Sequence, residues 1–207
     1  ARLAHPAPVS QVAFNRDGTL LASATYNGTV HFWGPSATGP PDTLIVGGPV
    51  HSLAILRDGA LLSAGGGPAR VWDFHTGRER SGSPLAADFV AVSPDESVLA
   101  TPAGQAVILR DAKSGAEIGR LDGPMPLTRA AFSPDGTTVA TSGIDNRLRF
   151  WDAQTGKDIT ASEHIGLSGH GYNLTFSPDS KRLLVGSTSL ATYDLKTQHG
   201  LKAQPRY

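Results

Sequence analysis

One pattern returns along this chain about every forty residues, and that period restricts the fold more than any single residue does. VAFNRDGTLLASATYNGTVHFW covers 12–33, LAILRDGALLSAGGGPARVWD covers 53–73, and VAVSPDESVLATPAGQAVILRD covers 90–111. AAFSPDGTTVATSGIDNRLRFWD at 130–152 and LTFSPDSKRLLVGSTSLATYDL at 174–195 complete five decaying copies. The aspartates of their first turns, Asp17, Asp58, Asp95, Asp135 and Asp179, stand 41, 37, 40 and 44 residues apart.

Each copy reads as strand, tight turn, strand, tight turn, strand. Val9 to Phe14 alternates with the two-residue period of a strand. Ser133-Pro134-Asp135-Gly136 fits a type I turn, with Ser first, Pro setting φ second and Gly fourth. A small-residue strand follows (Thr138 to Thr141), then a turn at Asp145-Asn146, then Leu148 to Trp151. A Thr-Gly pair such as Thr155-Gly156 leads into a weaker fourth strand. One such sheet cannot bury both faces, so stability must come from stacking neighbours. Small residues of the second strand (Ala22, Ser23, Ala24; Ala140, Thr141, Ser142) allow close approach, and Trp33, Trp72 and Trp151 fill the gaps. The 24 glycines and 15 prolines are spread along the chain, as many short connections require.

Composition excludes several chemistries. The 207 residues contain no cysteine, which removes disulfides, thiolate zinc sites and cysteine nucleophiles. Eighteen basic and eighteen acidic residues cancel, so no net field draws the chain to nucleic acid or acidic membranes. No apolar run approaches membrane-spanning length. The turn aspartates recur at blade intervals, so each is read as capping its own turn, with no shared metal among them. Asp145 could serve as a general base, but beside Trp151 and Thr141 it reads as a hydrogen-bond acceptor organising its blade. His164 and His170, with Glu163, lie six residues apart in a glycine-rich loop and lack a third ligand at metal spacing. Gly65-Gly66-Gly67 precedes no helix and reads as a hairpin turn.

Phe132-Ser133-Pro134-Asp135-Gly136, the Ala140-Thr141-Ser142 strand and Arg149-Phe150-Trp151-Asp152 together resemble the WD-repeat (WD-40) β-propeller family. The resemblance covers the chain from Leu3 to about Gln204. It implies an all-β fold, a β-propeller of four-stranded antiparallel blades. Residues 1–207 form a single propeller domain or partial propeller, with blades near 7–46, 49–84, 86–121, 125–163 and 170–206. Five blades are legible where the family usually has seven, so the expectation is part of a larger ring; a closed five-bladed ring is the alternative. The family's buried hydrogen-bonded set implies a structural group of His5, Ser23, Asn27 and Trp33 in the first copy, Trp72 in the second, and Thr141, Asp145 and Trp151 in the fourth. Gly66 and Gly104 stand where aspartate is preferred, and Arg110 and Tyr193 replace tryptophan. Gly169-His170 resembles the family's Gly-His pair, but it lies only six residues before Phe176, against nine from His5 to Phe14.

The resemblance further implies a non-catalytic interaction scaffold or sensor, needing no cofactor or metal, that binds a protein or peptide partner. A fused kinase or ATPase domain is among the partners it suggests; nucleic acid and membrane are not. Ligands in this family dock on the face bearing the lead-in to the first strands and the turns between second and third strands. Ser10, His51, Asp88, Thr128 and Tyr172 occupy the lead-in positions, with Tyr26 and Ile144 just before the second turn. Repeat positions sharing one structural role should look alike; these differ in chemistry, as a recognition surface would. The alternative function is a lactonase- or hydrolase-like propeller with a metal in its central funnel, for which only His51 and Asp88 offer ligands at these positions. A cytoplasmic location is expected, and the Ala/Pro/Gly/Arg-rich character resembles bacterial members of the family.

Overall fold

A computed structural model of the chain describes residues 5, 7–15, 17–34, 43–65, 67–73, 75–80, 85–160, 173–186, 190–196 and 200–201. The described structure is all-β, and antiparallel sheets follow one another along the chain as propeller blades do. The chain divides into two compact units, Ala1–Val90 and Ala91–Tyr207.

The first unit holds two sheets. β1 (Val9–Phe14), β2 (Leu21–Thr25), β3 (Thr29–Trp33) and β4 (Thr43–Ile45) pair in chain order. β5 (Ser52–Ile55), β6 (Ala60–Ala64), β7 (Pro68–Asp73) and β8 (Arg78–Glu79) do the same, and β9 (Leu85–Ala86) pairs with the other end of β7. The second unit holds three. The third sheet is β10 (Ala91–Val92), β11 (Val98–Ala103), β12 (Ala106–Asp111) and β13 (Glu117–Asp122). The fourth is β14 (Leu127–Phe132), β15 (Thr138–Gly143) and β16 (Leu148–Asp152), and the fifth is β17 (Asn173–Phe176), β18 (Arg182–Gly186), β19 (Leu190–Asp194) and β20 (Gly200–Leu201).

The fourth copy has the best-preserved motif, yet its outer strand is reduced to a bridge between Trp151 and Asp158 and a bond from Ile159 N–H to Phe150 O. The Thr160 hydroxyl accepts the Phe150 N–H at 2.9 Å, and the Asp158 carboxylate accepts the Thr160 N–H at 2.8 Å. Side chains there occupy the bonds a ladder would use, which is how Asp and Thr divert a backbone from sheet.

Alternation gives every sheet two different faces. In the first sheet, Val12, Phe14, Leu21, Ser23, Trp33 and Ile45 share the front; Ala13, Ala22, Ala24, Val30 and Phe32 share the back. Within the first unit, this back packs against Ile55, Leu61 and Trp72 on the front of the second sheet. Within the second unit, Ala140, Leu148 and Phe150 on the back of the fourth sheet meet Phe176, Leu183 and Tyr193 on the front of the fifth. The rule is the same at both junctions: an alanine in the second strand makes room for an aromatic on its neighbour, as stacking of two-faced sheets requires.

The first turns share one geometry. Gly136 N–H bonds Ser133 O at 2.9 Å with Gly136 at φ +75°, while the Asp135 carboxylate accepts from the Ser133 hydroxyl and from the N–H and hydroxyl of Thr137. Asp17, Asp58, Asp95 and Asp179 likewise accept the N–H two residues on. In two copies the left-handed position is filled by Glu96 (φ 64°) and Ser180 (φ 58°) in place of glycine, a conformation that ordinarily costs an L-residue about 1–2 kcal/mol. The Ser180 hydroxyl offsets part of that cost by accepting the Asp135 N–H at 3.1 Å.

Candidate functional site

In the first sheet, Trp33 Nε1–H donates to the Ser23 hydroxyl at 2.7 Å, and His5 Nε2 lies 3.2 Å from the same oxygen. Asn27 does not join them. It is exposed in the β2–β3 turn, and its carbonyl oxygen accepts from the Thr25 hydroxyl at 2.5 Å. Among the described residues, the buried His5 Nδ1 has no hydrogen-bond partner. His31 completes a cluster: its ring meets that of His5 edge-on, centroids 5.0 Å apart, and lies 6.0 Å from Trp33. Burial, with the nearby His5 second, pushes the His31 pKa below its ordinary 6.5.

In the second sheet Trp72 Nε1–H donates to Ser63 at 2.9 Å, and the Arg70 guanidinium stands 5.9 Å over the indole. In the fourth, Trp151 Nε1–H donates to Thr141 at 2.8 Å. Asp145 is placed apart from that pair. It forms an ion pair with Arg149, whose side chain is 8% exposed, and accepts the Arg147 N–H at 3.3 Å. The expectation that Asp145 organises the blade through Thr141 and Trp151 is thereby replaced by one in which it neutralises a buried arginine. Arg149 first, and the Arg147 N–H after it, hold the Asp145 carboxyl below the usual carboxylate range, which makes it a weak base. Sequence reading passed over Arg149. The signal was available, since Arg70 and Arg149 hold the same ladder position as His31, opposite Ser63, Thr141 and Ser23.

The lead-in residues differ in what they present. Ser10 and Thr128 sit where the first strands bulge, and their hydroxyls donate to Ala24 O (3.2 Å) and Ser142 O (3.3 Å) of their own sheets. His51 is half-buried, with its N–H bonded to Ala64 O at 2.8 Å. A Cβ on Gly65 would come within 2.6 Å of the His51 nitrogen, so glycine is what lets this histidine lie against the turn. Asp88 is exposed. Tyr26 and Ile144 are both about half exposed, and each is held by the same bond, its N–H to the oxygen of Pro8 (3.3 Å) or Pro126 (3.0 Å). Tyr172 and the loop bearing Glu163, His164 and His170 lie outside the described residues.

On the opposite rim of the first unit, the β1–β2 and β5–β6 turns enclose a groove of about 600 Å³ between Asn15, Asp17, Arg57 and Asp58, with His75 at its edge. Arg80 donates to Asp58 at 2.5 Å beside it. Sequence reasoning missed this groove because turn aspartates read one at a time give no sign of the space between two turns. Among the described residues, no three His, Asp or Glu side chains gather as metal ligands would.

These sheets, their two-faced stacking and their Ser/Thr–Trp bonds define a protein assembled from propeller blades. The family described as WD domain, G-beta repeat, matches residues 2–34 and 115–152. Apoptotic protease-activating factor 1 of Rattus norvegicus is 26% identical over 94% of this chain and 17% of its own length. Serine-threonine kinase receptor-associated protein of Gallus gallus is 23% identical over 89% of the chain and 54% of its own. Transducin beta-like protein 3 of Bos taurus is 30% identical over 49% of the chain and 13% of its own. Those two stretches carry the WD repeat, and proteins built from such repeats generally act as non-catalytic scaffolds for protein partners. It spans at most about half the length of these relatives. They are animal proteins and lend no support to a bacterial character. Among the described residues no helix is long and apolar enough to cross a membrane.

Proposed function

We propose that this chain is a non-catalytic scaffold or sensor module that takes a protein or peptide partner, each unit offering the rim that carries its own lead-in residues and second turns. The observation that supports this most directly is the pair Tyr26 and Ile144. Each is a large side chain left about half in water while its backbone is fixed by an equivalent bond to a proline carbonyl. A rigid, half-exposed apolar group loses little entropy on binding and contributes the desolvated contact that dominates interfaces. His51 and Asp88 supply polar contacts on this rim in the first unit, and Tyr172 is assigned to the corresponding rim of the second from its repeat position. Ser10 and Thr128 act indirectly, because their hydroxyls are bonded within their sheets. By family analogy the partner is a separate protein or peptide, or a kinase or ATPase domain of the same polypeptide, in the cytoplasm.

The test starts from a partner identified by co-purification, whose affinity for the purified chain is then measured. Tyr26→Ala with His51→Ala is expected to weaken binding by ten-fold or more, since a truncated aromatic anchor costs roughly 2 kcal/mol. Asn15→Ala on the opposite rim is expected to leave affinity unchanged. Loss of binding with Asn15→Ala and not with Tyr26→Ala would move the site to the 600 Å³ groove.

A further inference from the structure

Arg70 and Arg149 hold the same ladder position in different sheets, and only Arg149 has a carboxylate in its own turn. Arg149 stands opposite Thr141, and Asp145, four residues earlier in the β15–β16 turn, pairs with it; the arginine side chain is 8% exposed. Arg70 stands opposite Ser63, and the residue four before it is Gly66, within the run Ala64-Gly65-Gly66-Gly67-Pro68. Its side chain is 39% exposed. Glu79 Oε2 lies 3.8 Å from Arg70 Nη1, beyond hydrogen-bond distance, and is itself 49% exposed, so that pair contributes little.

Beside Arg70 there is space. A pocket of about 100 Å³ lies between the loop leading into the second sheet, Val46 to Val50, and the β6–β7 turn, with Ser63 and Arg70 also lining it. One water needs only about 10–15 Å³, so the pocket has room for a carboxylate. Among the described residues that line it, Arg70 alone is charged. Gly48 and Gly67 open the walls, since a Cβ on either would meet nothing within 4 Å. The guanidinium is held in place: Nη1 donates to Val46 O at 3.3 Å, and the group stands 5.9 Å over Trp72, whose indole N–H is bonded to Ser63. A guanidinium carries five N–H donors in a rigid fork that matches a carboxylate, and the bond to Val46 O leaves most of that fork for a ligand.

We propose that this pocket takes the carboxylate of an aspartate side chain of the protein partner, which pairs with Arg70 as Asp145 pairs with Arg149. The inference rests on the reading that the partner docks on this rim of the first unit, and it adds what the partner must present there. The fourth sheet supplies the template: an arginine at this ladder position is met from the side of its second turn by a carboxyl on a one-carbon arm. In the second sheet that turn supplies no acid, and the pocket beside it admits one from solution. A charge-assisted, two-pronged pair with a fixed guanidinium gives selectivity for carboxylate over amide.

Titration of the purified chain with acetyl-Gly-Asp-Gly-amide at constant ionic strength, followed by NMR at the Trp72 indole N–H, tests this. A saturable shift is expected at millimolar peptide, and the asparagine counterpart is expected to bind about ten-fold more weakly or worse, as loss of a charge-assisted pair implies. Arg70→Gln is expected to abolish the saturable shift. If Arg70→Gln fails to fold by circular dichroism, the comparison of aspartate with asparagine on the wild-type chain decides. No saturable shift, equal binding of the two peptides, or an undiminished shift in folded Arg70→Gln overturns the proposal. So does tighter binding of inorganic phosphate or of acetyl-Gly-Gly-Gly with a free C-terminus, which would assign the pocket to a different anion. The titration needs no partner, so the two readings fail separately. An aspartate-specific shift, with partner affinity indifferent to Tyr26→Ala and His51→Ala, keeps the carboxylate site and sinks the rim. Partner affinity lost in that double variant, with no response to the aspartate peptide, keeps the rim and sinks the site.

Discussion

Asp145 and Arg149 form a largely buried ion pair in the fourth sheet. Both side chains are largely withdrawn from water, at 16% and 8% exposure. Removing one member of a buried pair leaves the other unpaired, which costs about 3 kcal/mol or more. Asp145→Ala is therefore expected to lower the urea midpoint substantially, and Asp145→Ala with Arg149→Met to recover most of the loss. If the double variant is as unstable as the single, the carboxylate matters for the turn and not for the arginine. The sequence places Asp145 correctly in a second turn. It does not disclose the partner, because a residue four positions on along a hairpin is a neighbour only after the turn closes.

At the scale of the element, the first sheet carries a pH dependence of its own. His31 on β3 faces His5, Trp33 and the Thr43 hydroxyl, its Nδ1 3.4 Å from the last, and its buried Nε2 has no hydrogen-bond partner among the described residues. A histidine whose pKa is lowered on folding favours the folded state only while it is neutral. Its contribution is whole above its ordinary 6.5 and is lost as pH falls below that value. Stability is expected to decline as pH falls below 6.5, with amide exchange rising first in β3. His31→Gln should flatten that decline; an unchanged slope would assign it to other groups. Element boundaries in the sequence were legible from alternation and turn chemistry, and the family resemblance named Ser23 and Trp33. The histidine cluster was not legible, since His31 has no counterpart in the other copies: Arg70, Ile108, Arg149 and Ala191 hold its place.

At the scale of the whole molecule, stability is the sum of sheets and the junctions between neighbours. The two units each have their own core, around Phe32, Leu61 and Trp72 in one and Phe150, Phe176 and Leu183 in the other. Native-state hydrogen exchange is expected to give β6 and β15 different opening free energies. A single shared value would show that the chain opens as one cooperative block.

The sequence by itself determined the blade. Its forty-residue period, alternating strands, Asp-capped turns and Ser/Thr–Trp spacing are local, and local chemistry is readable from neighbours in the chain. Tertiary structure decided what depends on meeting across distance. It turned Asn27 away from His5 and toward Thr25, joined Asp145 to Arg149, and occupied the hydroxyls of Ser10 and Thr128 within their own sheets. It also left Phe14 in water where Ile55 and Phe176, at the same repeat position, are buried, because burial is set by which sheet stands opposite a residue and not by the residue itself.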